Sequence, residues 1–316
     1  MNNNNVGAIS TSPNEPCYIT TSKNETLDIS NYDYKQLLRL KYDEELAYAD
    51  MIMETEPFSV ERSIITKKGY ENVSKIAGLI FTVQGKPIIS WGGVNKSFIK
   101  FVKKIVYRVL TQKGNCLFFE AGVGTGAIIT PISKIPNVKA MGCDVYVNPD
   151  FIDPSLTVYE GSIYDVLDKL DHNSIDIFYW NAVMEHIPVD EIDEIIKKLA
   201  LKLAINGLII NITPNKAKGP SNITAFFEPR GSKSKGFHFY EYTLCELIAL
   251  YGKYNIISYI GFLGNLKRGV YLLGRAKYID KLKLFTEKAI MILPWFLRVR
   301  IIVYLGCDIS IFRKVK

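Results

Sequence analysis

The sequence is poor in cysteine and histidine, the residues that most often form disulfides and bind metal ions. Its 316 residues include five cysteines and three histidines. The cysteines are odd in number and show no C-x-x-C pair, so we expect reduced thiols in a reducing compartment. Because the histidines show no clustered ligand spacing, the sequence predicts no metal site. These residues are Cys17, Cys116, Cys143, Cys245, Cys307, His172, His186 and His238.

The chain also lacks a long uninterrupted apolar run. Near the N-terminus no basic segment precedes an apolar core, so no secretory signal is predicted, and the polar composition of residues 1–30 predicts disorder. Residues 279–316 are apolar, but arginines and Pro294 interrupt them well short of the ~20 residues that a membrane span requires. We therefore expect a cytoplasmic protein.

Glycine is concentrated where an apolar strand pattern ends in an acid. The residues concerned are Glu120, Gly122, Gly124 and Gly126. Glycine lets the backbone approach a cofactor closely and tolerates the positive φ of a tight turn. With Ala127, the first two glycines also match G-x-G-x-x-A, which holds the diphosphate of NAD or FAD. Glu120 would repel a diphosphate but suits the ammonium group of S-adenosylmethionine (SAM), so the electrostatics favour SAM.

Downstream, strand and helix patterns alternate, and each strand ends at a polar residue. Asp144 closes the second strand, 18 residues past Gly126, where an acid can accept both hydroxyls of a ribose. The third strand leads into Ser162 and Ile163, and the fourth ends at Asn181 before Glu185 and His186. This alternation predicts an α/β fold with a parallel sheet.

At this point the chain resembles the class I SAM-dependent methyltransferases, particularly the group that modifies small molecules, quinones and saccharides. The resemblance covers about residues 95–278. It is carried by E-x-G-x-G-x-G at 120–126, Asp144, the block from Asn181 to Pro188, Asn206-Gly207 before the fifth strand, and His238. It implies a Rossmann-like sheet of seven mostly parallel strands in the order 3-2-1-4-5-7-6, the last antiparallel, with helices on both faces. A hairpin of residues 255–262 and 270–277 is expected to supply the last two strands.

The resemblance also implies a role for each site residue. Glu120 and the three glycines would lie near the methionine part of SAM, Asp144 at the ribose, Ser162 and Ile163 at the adenine, and Asn181 near the sulfonium. Ser162 departs from the family, which usually has an acid there, so Asp165 is an alternative. Glu185, His186 and His238 are candidate general bases for an acceptor oxygen.

Additions flank and interrupt this domain. Residues 31–94 predict a helical cap, followed by an amphipathic helix over 97–112. Residues 215–240 predict a lid insert whose basic groups either face an anionic acceptor or are simply solvated. The basic and apolar residues 279–316 predict a helical tail that binds an anionic membrane surface or a lipid acceptor, or packs on the domain or a second subunit.

The sequence therefore favours a SAM-dependent methyltransferase that acts on an oxygen of a small or lipid-linked acceptor. RNA or protein acceptors are an alternative, although the basic residues do not form the pattern typical of nucleic-acid binding. An NAD(P)-dependent oxidoreductase is a second alternative, opposed by Glu120. A catalytically silent SAM-binding scaffold is a third.

Overall fold

The computed structural model describes residues 17–84, 96–147, 156–261, 274–305 and 308–316. These residues form a two-stranded sheet, an eight-stranded sheet and helices around both. The strands are β1 (Tyr18–Thr20), β2 (Thr26–Asp28), β3 (Cys116–Ala121), β4 (Val138–Asp144), β5 (Thr157–Glu160), β6 (Ile175–Asn181), β7 (Leu203–Ile212), β8 (Ile256–Gly261), β9 (Gly274–Arg275) and β10 (Ile309–Lys314). The helices are α1 (Tyr34–Glu54), α2 (Val60–Val83), α3 (Lys96–Lys113), α4 (Ile129–Ser133), α5 (Ile163–Asp168), α6 (Ile192–Lys202), α7 (Thr224–Phe227), α8 (Leu244–Gly252), α9 (Ala276–Ile290) and α10 (Trp295–Leu305). Short 3-10 turns occur at Met184–His186 and Lys216–Lys218.

The large sheet has the order β5-β4-β3-β6-β7-β10-β8-β9. Strands β3 to β7 pair in parallel with one another, and β10 is antiparallel to both β7 and β8. The predicted Rossmann-like order 3-2-1-4-5-7-6, with an antiparallel last strand, is thereby confirmed. The two-residue strand β9 is added at the edge beside β8.

The origin of the antiparallel strand was predicted wrongly. The first strand of the expected hairpin exists as β8, whereas residues 262 and 270–273 lie outside the described residues, and of residues 274–277 only Gly274 and Arg275 form a strand. The position between β7 and β8 is instead taken by β10, from the end of the tail that we expected to be wholly helical. Ile309, Ile311 and Phe312 of β10 are buried in the sheet core, so this segment satisfies its backbone and apolar side chains together.

Alternating side chains of the sheet pack on two helical layers. Phe119, Phe178 and Trp180 face a core shared with α5, α6 and α8. Phe118, Ile177 and Ile210 face the opposite core, shared with α3 and α4. The strands are almost wholly apolar, and their alternate residues are buried on opposite faces. This pattern is typical of a parallel sheet that is covered by helices on both faces.

The prediction of disorder over residues 1–30 is wrong for residues 17–30, which are ordered. Residues 1–16 lie outside the described residues, but β1 and β2 pair as a hairpin. Ile19 and Ile29 are fully buried against Leu37, Ile76 and Ile80 of α1 and α2. A few apolar residues at the right spacing are therefore enough to order a polar segment against the helices. The predicted cap helices exist as α1 and α2, and the predicted helix 97–112 is α3.

The tail helices pack on the domain. Glu287 of α9 accepts hydrogen bonds from the backbone amides of Leu244 (3.0 Å) and Cys245 (3.1 Å), at the start of α8. Trp295 of α10 donates its indole N–H to the carbonyl of Lys218. No helix among the described residues is long and apolar enough to cross a membrane.

Candidate cofactor and acceptor site

The glycine-rich loop lies at the carboxyl end of β3 and is tied to β4. Gly122, Gly124 and Gly126 all have left-handed φ values, of 71°, 52° and 72°. The amides of Gly122 and Val123 donate to the carbonyl of Cys143 at 2.8 and 3.2 Å. The loop is therefore held at the point where a ligand of an open α/β sheet binds.

Two of these glycines differ in what surrounds them. A Cβ on Gly122 would lie 2.2 Å from Cγ2 of Val183, so any larger residue would collide with the turn after β6. A Cβ on Gly124 would meet nothing within 4 Å. The backbone of Gly124 therefore faces open space, which leaves a concave surface available to a cofactor.

Asp144 connects the end of β4 to this loop. Its carboxylate accepts hydrogen bonds from the amides of Gly124 (2.8 Å) and Tyr146 (3.3 Å). Burial raises the pKa of Asp144 above its usual value, and these amide hydrogen bonds oppose that shift. The carboxylate is thus fixed beside the open face of the glycine loop.

Glu120 is deeper than the sequence indicates. Its side chain is 4% exposed, with the start of α4 nearby, and does not project from the strand tip. Burial raises its pKa well above the usual range, although an interaction with the Ile129 amide opposes the shift. Among the described residues, its Oε2 atom has no hydrogen-bond partner. An unpartnered buried carboxylate oxygen of this kind fits a ligand that brings a positive charge or a hydrogen-bond donor.

Ser162 is occupied by helix capping. Its hydroxyl accepts from the amide of Asp165 (3.2 Å) and donates to the Asp165 carboxylate (3.0 Å), at the start of α5. Ile163 is the first residue of this helix. Both residues lie at the end of β5 as predicted, but Asp165 turns back to the cap. Asn181 lies at the end of β6 and is partly buried.

A second polar cluster combines Glu185 and His186, in the turn after β6, with His238 at the end of the insert. One potential ligand atom from each residue lies within 4.8 Å of the other two. The imidazole rings meet edge to face, with centroids 4.7 Å apart. The expectation of no metal site depended on sequence spacing. Spacing along the chain does not reveal this convergence, because folding brings together residues 52 positions apart.

Each member of this cluster has one polar atom held by a neighbour. Glu185 Oε2 accepts from the hydroxyl of Thr213 at 2.9 Å, and His238 Nδ1 lies 2.9 Å from Glu241 Oε1. Burial raises the pKa of Glu185 to about 7 and lowers that of His186 to about 3. The His186 ring is therefore neutral at physiological pH.

Helix α2 crosses over both clusters and contributes a residue that sequence analysis missed. The ring of Tyr70 stacks on Phe237 (4.7 Å) and meets His186 edge-on (6.1 Å). Burial raises the pKa of Tyr70 well above its usual range, and the charges of Asp144 and Glu185 add to the shift. Tyr70 therefore packs beside His186 and is near enough to Asp144 for that charge to affect its pKa. Nothing in the local pattern of α2 distinguishes it from an ordinary packing residue.

The N-terminal helices are fastened to the sheet domain by specific contacts. Arg62 is buried and binds Asp190 with both Nη atoms, at 2.8 and 3.0 Å. Phe58 stacks on Tyr164 of α5 with centroids 3.9 Å apart. These contacts fix the N-terminal helices against α5 and against the residues just before α6.

Most basic groups of the insert already have acidic partners. Lys216 pairs with Glu246, Lys218 with Asp308, and Lys235 with Glu228. Arg230 lies over the ring of Trp295. Of the basic residues in the insert that were predicted to face an anionic acceptor, Lys233 is exposed and lies outside these pairs.

Comparison with solved structures finds SAM-dependent methyltransferases. One from Archaeoglobus fulgidus is 14% identical with a TM-score of 0.42, over 68% of this chain and 94% of that one. The 1,6-didemethyltoxoflavin-N1-methyltransferase of Burkholderia thailandensis, with bound 1,6-didemethyltoxoflavin and S-adenosylhomocysteine, is 12% identical with a TM-score of 0.45, over 83% and 93%. The phosphoethanolamine N-methyltransferase 2 of Haemonchus contortus, in complex with phosphomonomethylethanolamine and S-adenosylhomocysteine, is 13% identical with a TM-score of 0.41, over 81% and 59%. No family model and no curated protein matches the sequence.

Proposed function

We propose that this protein is a SAM-dependent methyltransferase that transfers a methyl group to an oxygen of a small or lipid-linked acceptor, such as a saccharide or a quinone. The observation that carries the proposal is the pair of carboxylates around the glycine loop. Glu120 has a buried oxygen without a partner among the described residues, and Asp144 is fixed to the amide of Gly124. Two acids at this position favour a cofactor with an ammonium group and free ribose hydroxyls over a diphosphate.

The assigned roles follow from position. Glu120, Gly122, Gly124 and Gly126 would hold the methionine end of SAM, and Asp144 its ribose. Ser162 and Ile163 would lie at the adenine, where the Ser162 hydroxyl retains one acceptor lone pair after capping α5. Asn181 would lie near the sulfonium. Bound SAM supplies an electrophilic methyl group, so the chain's main tasks are to orient the acceptor and to exclude water.

The acceptor side of the pocket is formed by Glu185, His186 and His238, beneath Tyr70 of α2. A hydroxyl acceptor placed there would meet unpartnered atoms of Glu185 and His186, which can orient it or take its proton. Their assignment as bases rests on this position. Assays of His186→Ala and His238→Ala with an identified acceptor test it, since undiminished turnover in both variants would remove histidine catalysis.

A lipid-linked acceptor, and peripheral contact with a membrane, are supported by the apolar surface of α9, α10 and the turn between them. Ile292 in that turn is 89% exposed and Phe285 is 74% exposed. Phe296 and Leu297 extend the apolar surface, and Lys288 and Arg300 are exposed near it. Exposed apolar and basic groups on one surface are typical of an interfacial segment on an anionic bilayer.

Calorimetry separates the proposed cofactor from its alternative. SAM and NAD(P) are titrated separately into the full-length protein, and SAM alone is expected to bind. Binding of NAD(P) without SAM would contradict the proposal. Incubation of cell extracts with radiolabelled SAM, followed by fractionation into lipid, glycan, RNA and protein, then identifies the acceptor class. Label in RNA or protein would favour that alternative function.

Flotation with anionic liposomes tests the membrane contact. Ile292→Asp and Phe285→Asp should reduce the floated fraction, while Ile205→Asp serves as a matched control, because Ile205 is 61% exposed on β7 and is not part of α9, α10 or the turn between them. Equal flotation of wild type and the two tail variants would contradict the membrane role.

A further inference from the structure

We propose that Glu185, His186 and His238 form a binding site for one divalent transition-metal ion. The proposal goes beyond the methyltransferase function and does not depend on SAM. Its basis is that these three side chains converge and that two of them direct an unpaired atom into a buried region. The argument rests on ligand type, on the neighbours that orient each ligand, and on how the chain holds the ligands together.

Two unpaired atoms belong to adjacent residues of the turn after β6. Glu185 Oε1 and His186 Nδ1 are buried without a hydrogen-bond partner among the described residues. A buried carboxylate oxygen and a buried imidazole nitrogen are costly to leave unpaired, so two in one cluster call for an explanation. A cation between them satisfies both atoms with one ligand.

The other polar atoms of the three residues are already held, as expected for metal ligands. His238 Nδ1 is paired with Glu241, which leaves Nε2 for an ion. His186 is hydrogen-bonded to the backbone of Phe237, so its second nitrogen is also oriented. Glu185 Oε2 accepts from Thr213. Carboxylate or carbonyl partners behind metal-binding histidines fix the ring and its tautomer.

The chain holds the two ligand segments against each other. The amide of Tyr240 donates to the carbonyl of Glu185 at 3.4 Å, which joins the insert to the turn after β6. Glu241 also accepts from the amide of Ser221 at 2.9 Å, so the residue that orients His238 is itself fixed. Glu185, His238 and Glu241 are all buried. The site is thus assembled mostly before an ion binds.

The ligand set indicates the kind of ion. Two imidazoles and one carboxylate suit Zn²⁺, Fe²⁺, Co²⁺ or Mn²⁺ and leave coordination positions open for water or an acceptor hydroxyl. Ligand distances of about 2.0–2.2 Å place ligands of one ion about 3–3.6 Å apart. The potential ligand atoms lie within 4.8 Å of one another. Loading therefore requires the side chains to approach by at most about 1–2 Å.

Visible absorption with Co²⁺ as the probe tests the site. The full-length protein is treated with a chelator, exchanged into metal-free buffer and titrated with CoCl₂. We expect one Co²⁺ per chain, an affinity at least about 100-fold lower in His186→Ala and His238→Ala, and a loss of about 10–100-fold in Glu241→Gln. His172→Ala is the matched control, since His172 is the third histidine of the chain and is exposed.

The Co²⁺ titrations of the wild type and of the variants either support or overturn the metal site. Absence of saturable one-to-one binding in the wild type, or wild-type affinity in His238→Ala, would overturn the proposal. If circular dichroism shows that His186→Ala does not fold, His238→Ala and Glu241→Gln decide the matter. SAM calorimetry on the same samples separates the two proposals, because a protein that binds Co²⁺ and not SAM contradicts only the methyltransferase assignment.

Discussion

The two halves of the large sheet build their parts of the pocket in different ways. In the half formed by β3, β4 and β5, the polar groups come from one continuous stretch, from Glu120 to Ile163. In the half formed by β6, β7, β10 and β8, the polar groups come from the turn after β6, from the insert and from the overlying helix α2. The antiparallel strand of this half, β10, comes from near the C-terminus of the chain. The first half depends on local sequence, and the second on contacts between distant segments.

This difference determines what a substitution does in each half. A change in the glycine loop alters ligand contacts directly, although the loop is also tied to β4 through the carbonyl of Cys143. A change in the second half acts through packing as well, because the insert rests on the N-terminal helices through Phe237 and the tail caps α8 through Glu287. The following predictions test that distinction, beginning with the largest expected effect.

The first prediction concerns β10. Phe312 is fully buried in the core shared by β6, β7 and α8. Phe312→Ala should therefore lower the free energy of unfolding by about 3–5 kcal/mol, through lost burial and the cavity left behind. Urea denaturation measures the change. Phe296→Ala, on the exposed face of α10, is the control and should stay within about 0.5 kcal/mol of wild type. A small loss for Phe312→Ala would mean that β10 is not an integral strand of the second half.

The second prediction concerns Asp144. Asp144→Ala should weaken SAM binding by at least about 100-fold, equivalent to about 2.7 kcal/mol, since the variant loses the ribose contact and the support of the Gly124 amide. Calorimetry is the measurement. Asp165→Ala is the control and should retain SAM affinity, because that carboxylate is turned to the cap of α5. Unchanged affinity in Asp144→Ala would refute the ribose role.

The third prediction concerns the pH dependence that Glu120 imposes. Its pKa is raised in the folded state, so folding favours the protonated carboxyl. Below the pKa that Glu120 has in the unfolded chain, its carboxyl is protonated in both the folded and the unfolded state, so burying it costs no ionisation free energy. As pH rises through the raised folded pKa, the stability contribution is lost. Glu120→Gln should therefore match wild type in acid and exceed it by about 1–3 kcal/mol at neutral or mildly alkaline pH.

Urea denaturation across a pH series, without cofactor, tests this sign. The same variant should bind SAM more weakly, because the amide cannot supply a negative charge to the ammonium group. A constant difference at every pH would contradict the buried, unpaired state of Glu120. Unchanged SAM affinity would contradict its role at the methionine end.

In the first half, the sequence signals for the glycine loop and for the strand ends are local. Glycines at alternate positions and an acid at the end of the next strand identify the loop and Asp144 without any knowledge of distant contacts. Even there, burial of Glu120 was not predictable, because the orientation of a strand-end side chain depends on the helix packed above it. Capping likewise turns Asp165 toward the start of α5, and the S-x-x-D spacing from Ser162 to Asp165 is a sequence signature of such a cap.

The arrangement of the second half could not be predicted from the sequence, because it depends on contacts between distant segments. Six residues at the end of a basic, apolar tail form a central strand, and their neighbours on both sides are far away in the chain. Tyr70 reaches the pocket only because Arg62 and Phe58 fix the position of α2. The convergence of His186 and His238 is likewise a result of tertiary packing. Such contacts have no signature in spacing or periodicity.

The smallest predicted effect concerns how the insert is held. Lys235 pairs with Glu228 on the surface, while Phe237 nearby is buried against α1 and α2. Exposed ion pairs contribute little, so Lys235→Ala should lower the free energy of unfolding by less than about 1 kcal/mol, and less still at high salt. Lys233→Ala, at a similarly exposed position, is the matched control for loss of a lysine. Urea denaturation at low and high salt compares them. A large, salt-insensitive loss in Lys235→Ala alone would show that this ion pair, and not the packing of Phe237, fixes the insert, and that the second half of the pocket depends on surface charge.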